Sequence, residues 1–105
     1  ASAEARRRRG ALRALDRDLA SSDPKALSVA FERFLGARTG TEPAEWIGRG
    51  ALAGSHGLGL SDELKVEYAQ IRRDLDAAVF GGHPAAAPAP SRIRGFARLA
   101  VKEGL

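Results

Sequence analysis

Residues 60–80 read LSDELKVEYAQIRRDLDAAVF, and this stretch decides the fold class of the chain. Ser61 is a favourable N-cap, and two acidic residues follow it in the first turn, where the helix dipole favours negative charge. The apolar residues beyond them recur at spacings of four and three, which places them on one side of an α-helix. They are Leu64, Tyr68, Ile71, Leu75 and Ala78. The segment therefore predicts an amphipathic helix, which Gly81 and Gly82 end.

Two helices are predicted before this segment. Leucines recur at spacings of three and four opposite charged residues in residues 4–20, which indicates a first helix. Ser22 or Asp23 supplies the N-cap of a second helix, and Pro24 suits its first turn. The second helix ends at Gly40. Its apolar stripe consists of Leu27, Ala30, Phe31, Phe34 and Leu35.

Three further segments complete the prediction. Residues 41–52 predict a short third helix, which is weakened by glycines and contributes Trp46 to the core, and residues 54–59 predict a loop. Residues 83–90 are almost entirely alanine and proline, so they predict a semi-extended linker. Ser91 predicts the N-cap of a last helix with one apolar and one basic side.

The fold is expected to be all-α, because β-branched residues nowhere alternate over the length that a strand needs. We expect a small four- to five-helix bundle of two helical hairpins plus a C-terminal helix after the Ala/Pro linker. Its parts are a basic segment 1–9, a helical domain 10–82, the linker 83–90 and an amphipathic basic helix 91–105. The expected core comprises Leu15, Leu19, Leu27, Phe31, Phe34, Leu64, Tyr68, Ile71 and Leu75.

The positive charge lies at the two ends of the chain. Residues 1–9 carry four consecutive arginines against one glutamate, and residues 91–105 carry four basic residues against one glutamate. A basic cluster beside a helix start is typical of cytoplasmic flanks of membrane spans, and each cation near an anionic surface contributes roughly 1 kcal/mol. The candidate membrane- or anion-contacting residues are Arg6, Arg7, Arg8, Arg9, Arg94, Arg98 and Lys102.

Two other interpretations of the basic ends stay open. The first arginines could be a frayed, solvated helix start. Alternatively, both basic ends could bind nucleic-acid phosphates in a soluble regulatory protein. The net acidic residues 10–90 and the lack of aromatic residues between the arginines are less typical of nucleic-acid binding. About 20 apolar residues immediately before Ala1 in a parent sequence would identify a membrane span.

The sequence shows no catalytic constellation, so we expect an interaction domain and not an enzyme. His56 and His83 have no ligand partner at helical spacing, and cysteine is absent, so no metal or cofactor is predicted. The glycine-rich stretch 54–59 lacks the strand before it and the Lys-Ser or Lys-Thr after it that a phosphate-binding loop needs. Aspartates two positions apart, at 16 and 18 and at 74 and 76, are expected to pair with nearby arginines.

Three stretches carry a family resemblance: residues 15–35 read LDRDLASSDPKALSVAFERFL, residues 60–64 read LSDEL and residues 75–80 read LDAAVF. Their order resembles the C-terminal cytoplasmic domain of BatD-like oxygen-tolerance (aerotolerance) membrane proteins, over about residues 10–82. In that family a short helix leads through an Asp-Pro or Gly-Asp step into an Ala- and Leu-rich helix. A later helix of that family ends with an Asp-Ala-Ala-x-Phe-like segment.

The resemblance implies a helical tail that follows a membrane span on its cytoplasmic side, with Arg6 to Arg9 as the positive-inside flank. It implies a non-catalytic protein-interaction domain of a membrane-anchored protein, with no active site to transfer. The partners implied are von Willebrand factor A domain proteins or a MoxR-type ATPase. An anionic membrane surface is a further expected partner, and nucleic acid is a less favoured one.

Overall fold

The computed structural model describes residues 2–40 and 60–105, which form four α-helices and a short 3-10 turn. The helices are α1 (Ala3–Asp18), α2 (Pro24–Thr39), α3 (Asp62–Phe80) and α4 (Pro90–Lys102), and the turn is Pro84–Ala86. No strand occurs in these two ranges, and the helices pack into a compact bundle. The all-α prediction is confirmed.

Helix boundaries follow the capping residues of the sequence, with one exception. The Asp23 side chain accepts a hydrogen bond from the Ala26 amide at 3.1 Å, and Ser61 caps α3 in the same way. Gly40 ends α2 with a φ of 73°, a left-handed conformation that glycine adopts readily. The predicted cap at Ser91 is wrong. The N-cap of α4 is Ala89, because Pro90 fits the first helical position, where its fixed φ suits the helix and no amide donor is needed.

The core contains all nine residues predicted for it, and it extends to α4. Phe31 of α2 lies against both Tyr68 of α3 and Phe96 of α4, with ring centroids 5.7 Å apart in each pair. These three rings join three helices around one centre, with separations and orientations at which aromatic pairs attract. The last helix is therefore an integral part of the bundle.

The end of α4 turns back into the core through a Schellman motif. The Leu105 amide donates to the Ala100 carbonyl at 2.9 Å, the Gly104 amide donates to the Val101 carbonyl at 3.0 Å, and Gly104 has a φ of 109°. The Leu105 side chain is buried in the core as a result. This turn fixes the position of the Leu105 main-chain oxygen beside α1 and α2.

The segment between α3 and α4 differs from the linker predicted at residues 83–90. It forms the 3-10 turn Pro84–Ala86, Pro88 is buried, and Ala87 packs against the core. Residues 84–86 are exposed, and Ala87 and Pro88 are the parts of the segment that pack onto the bundle. The predicted third helix at 41–52 and loop at 54–59, with Trp46 and His56, lie outside the described residues.

Candidate functional site

Four arginines of α1 form a row on the side of the helix that faces away from the core. Successive members are three or four residues apart, so they lie above one another along about 16 Å of helix. The buried residues Ala11 and Leu15 occupy the opposite side. All four side chains are exposed, and their guanidinium groups have no partner among residues 2–40 and 60–105. The row consists of Arg6, Arg9, Arg13 and Arg17.

Two arginines of α4 join this row through one aspartate of α1. Arg94 Nε donates to Asp16 Oδ1 at 2.9 Å, and Arg98 Nη2 lies 3.8 Å from Asp16 Oδ2. Asp16 is three residues from Arg13 on α1, so the two α4 side chains lie beside the row. One carboxylate cannot neutralise two guanidinium groups. We call the resulting set, Arg6, Arg9, Arg13, Arg17, Arg94 and Arg98, the arginine surface.

The arginine surface contains only some of the predicted contact residues. Arg6, Arg9, Arg94 and Arg98 belong to it. Arg8 points to the other side of α1 and contacts Arg38, Arg7 lines a hollow between α1 and α2, and Lys102 is exposed at the end of α4. The sequence analysis missed Arg13 and Arg17. Their helical spacing from Arg6 and Arg9 would have identified them, because it continues the same row.

Arg92 is the one arginine of α4 that faces α3. It donates to Glu67 at 2.7 Å and to Asp74 at 2.9 Å. The second contact agrees with the prediction that Asp74 pairs with a nearby arginine. The hydrogen bond that Arg92 donates to Glu67 is the main cause that raises the pKa of Arg92, and the bond that it donates to Asp74 adds to it. The two carboxylates balance the positive charge of the Arg92 guanidinium, and the contacts connect α4 to α3.

A cluster of charged and polar side chains is buried between α2 and α3. Arg72 is fully buried, and it donates to Glu32 at 3.2 Å, to Asp76 at 2.9 Å and to Ser28 at 2.8 Å. The Ser28 hydroxyl donates in turn to Glu32 at 2.9 Å. No buried side-chain nitrogen or oxygen in the described ranges lacks a hydrogen-bond partner. We call Ser28, Glu32, Arg72 and Asp76 the buried cluster.

The sequence analysis did not find the buried cluster. Two signals point to it in retrospect: Ser28 and Glu32 are four residues apart on α2, and Arg72 and Asp76 are four apart on α3. Each pair borders the apolar stripe of its helix, so the two pairs meet where the helices pack. Arginine is almost never fully buried without such partners.

A hollow of about 540 Å³ lies between α1 and α2. Its floor is apolar and includes Leu15 and Phe34, while its charged lining residues are Arg7, Arg17, Arg33, Glu4 and Asp18. The hollow therefore borders the arginine surface at Arg17, and its rim carries acidic as well as basic side chains.

Comparisons with known proteins identify no relative of this chain. The chain matches no protein-family model, no curated protein and no solved structure. Within the described ranges, no helix has the length and apolarity that crossing a bilayer requires. The same ranges hold no group of three histidine, cysteine or acidic side chains arranged for a metal ion, and His83 is exposed.

Proposed function

We propose that the chain is a non-catalytic interaction domain that binds an anionic membrane surface through the arginine surface. The observation that carries this proposal is the gathering, among the described residues, of six arginines on one side of the bundle, where only Arg94 and Arg98 lie beside a carboxylate, that of Asp16. Each cation held near anionic lipid contributes roughly 1 kcal/mol, so several together give measurable and salt-sensitive binding. In this arrangement α1 lies along the membrane and the bundle faces away from it.

The surroundings of the arginines favour a membrane over nucleic acid. Proteins that hold single strands combine basic side chains with aromatic rings on which bases stack. In the described part of the chain, Phe31, Phe34, Tyr68 and Phe96 are buried, and the exposed Phe80 lies at the far end of α3. The arginine row follows the outer side of a single helix, α1, which suits a flat layer of lipid phosphates.

The family-level part of the proposal rests on the sequence resemblance. In it, the domain is the cytoplasmic part of a BatD-like membrane-anchored protein, with Arg6 to Arg9 close to the bilayer. Its protein partners would then be von Willebrand factor A domain proteins or a MoxR-type ATPase. The bundle would hold these partners at the membrane, with the arginine surface setting its orientation.

A binding comparison tests the proposal. Sedimentation with vesicles of phosphatidylcholine and phosphatidylserine is expected to show weak binding that fades as salt is added, and vesicles of phosphatidylcholine alone are expected to show none. Duplex DNA, single-stranded DNA and RNA are measured at the same near-physiological ionic strength. Saturable nucleic-acid binding without vesicle affinity would overturn the membrane assignment and support the nucleic-acid alternative.

A further inference from the structure

Asp16 is the carboxylate that lies inside the arginine surface. Arg94 Nε donates to Asp16 Oδ1 at 2.9 Å, and Arg98 Nη2 lies 3.8 Å from Asp16 Oδ2. Within residues 2–40 and 60–105, no other carboxylate is within ion-pair distance of an arginine of this surface. Asp16 is therefore the described residue that competes with an external anion for these arginines.

The contacts of Asp16 are of a kind that another anion can replace. The side chain of Asp16 is 43% exposed, and those of Arg94 and Arg98 are 33% and 63% exposed. Exposed ion pairs are weak, because water solvates both partners and salt screens their attraction. Only the contact with Arg94 is short enough for a hydrogen bond. Both arginines can therefore leave Asp16 at little cost in free energy.

The position of Asp16 places the carboxylate where a bound membrane would be. Asp16 follows Arg9 by seven residues and Arg13 by three, so it lies along the same side of α1. An anionic lipid layer that contacts the arginine row would therefore meet this carboxylate as well. Like charges repel, and the carboxylate also holds two cations that could contact lipid phosphates. Both effects oppose membrane binding.

We propose that Asp16 limits the affinity of the arginine surface for anionic lipid, and that lipid phosphates replace Asp16 as the partners of Arg94 and Arg98. This inference rests on the proposed membrane function. Phosphate oxygens suit the exchange, because guanidinium groups match phosphate as well as carboxylate and charge-assisted hydrogen bonds are the strong ones. The two α4 arginines give up one anionic partner for another, so each contributes less to binding than an arginine of the α1 row. If Asp16 instead positioned these arginines for lipid, its removal would weaken binding.

Sedimentation with vesicles of phosphatidylcholine and phosphatidylserine at near-physiological ionic strength tests the inference. Asp16→Asn keeps the size of the side chain, removes its charge and frees two cations, so its vesicle affinity is expected to rise about tenfold. This affinity is also expected to fall more steeply with salt, because more cations contact the lipid. The control is Asp18→Asn, which makes the same charge change at the hollow between α1 and α2 and is expected to gain less than about threefold.

A double variant separates the exchange of partners from the simple loss of a negative charge. Arg94→Gln is expected to lower vesicle affinity about twofold in the parent chain and about fivefold in the Asp16→Asn background, because Asp16 no longer competes there. Circular dichroism is expected to place the Tm of Asp16→Asn within about 5 °C of the parent, since an exposed ion pair contributes little stability.

Three results would overturn the inference while leaving the proposed membrane binding in place. They are a lower or unchanged vesicle affinity in Asp16→Asn, an equal gain in Asp18→Asn, and equal losses from Arg94→Gln in the two backgrounds. Absence of vesicle binding by both the parent chain and Asp16→Asn would overturn the membrane proposal itself, and this inference with it.

Discussion

Arg72 and Arg13 show the two opposite situations in which this molecule places an arginine. Arg72 is fully buried and has hydrogen bonds to two carboxylates and a hydroxyl, whereas Arg13 is exposed at the centre of a row of arginines without partners in the described residues. A buried charge must be paired, because its desolvation costs several kcal/mol. An exposed charge needs no internal partner, so its interactions remain available to other molecules.

The chain has 17 lysine and arginine residues, and burial divides them into two groups. Buried, paired cations contribute to the fold, and exposed, unpaired cations are available for binding. The buried cluster fixes the alignment of α2 and α3, and changing it is expected to affect stability. The arginine surface contributes little to folding, and changing it is expected to affect binding. The following predictions test that separation, beginning with the largest expected effect.

Replacement of Arg72 is expected to cost the most stability. Arg72→Met leaves Glu32 buried without its cation, and breaking a buried ion pair from one side costs about 3–5 kcal/mol. Adding Glu32→Gln to this variant is expected to recover part of the loss, because it removes the orphaned charge. Urea unfolding measures both. Arg73→Met is the matched control, since that side chain is 75% exposed. Equal costs for the two arginine variants would refute the structural role of the cluster.

Truncation of an apolar core side chain is expected to cause the second-largest loss of stability, and it shows what the burial of an uncharged side chain contributes. Leu75 is fully buried on the same helix as Arg72, and Leu75→Ala is expected to cost about 2–5 kcal/mol because it leaves a cavity. Val66 is 57% exposed on that helix, so Val66→Ala is expected to cost less than about 0.5 kcal/mol. Thermal unfolding checks the pair. A Leu75→Ala protein that melts within a degree or two of the parent would show that the assigned helix faces are wrong.

Arg92 is the intermediate case, because it is partly exposed yet bonded to two carboxylates. Arg92→Gln is expected to cost about 1 kcal/mol, at the upper end for a surface ion pair. The loss should shrink in high salt, which screens partly exposed charges but not the buried cluster. A cost as large as that of Arg72→Met, or one insensitive to salt, would break the distinction between buried and exposed charges.

The apolar and capping patterns of the sequence were enough to predict the fold. Leucine and aromatic spacings placed the core, and Asp23, Ser61 and Gly40 marked helix ends, because these signals are local. Contacts between distant residues were not predictable in the same way. Arg72 and Glu32 are 40 residues apart, and Arg94 and Asp16 are 78 apart. Periodicity shows which side of a helix is apolar, but it does not show which charges on two helices will meet.

The arginine row illustrates the limit most clearly. The sequence analysis grouped Arg6 to Arg9 as one set of contact residues because they are consecutive. Consecutive residues on a helix, however, point in different directions. The structure places Arg8 against Arg38 and unites Arg6 and Arg9 with Arg13 and Arg17. A helical projection of the first segment would have found the row. The contribution of α4 depends on how the bundle packs, so it could be known only from the structure.

The most direct test of the central claim compares two sets of four charge removals. One variant changes Arg6, Arg9, Arg13 and Arg17 to Gln, and its control changes four exposed or partly exposed cations of α2 and α3, Lys25, Arg33, Lys65 and Arg73, to Gln. The first is expected to keep its free energy of unfolding within about 0.5 kcal/mol and to lose at least about tenfold in affinity for phosphatidylserine vesicles. The control is expected to lose much less affinity. Equal losses in the two variants, or unchanged vesicle binding in the first, would contradict the account.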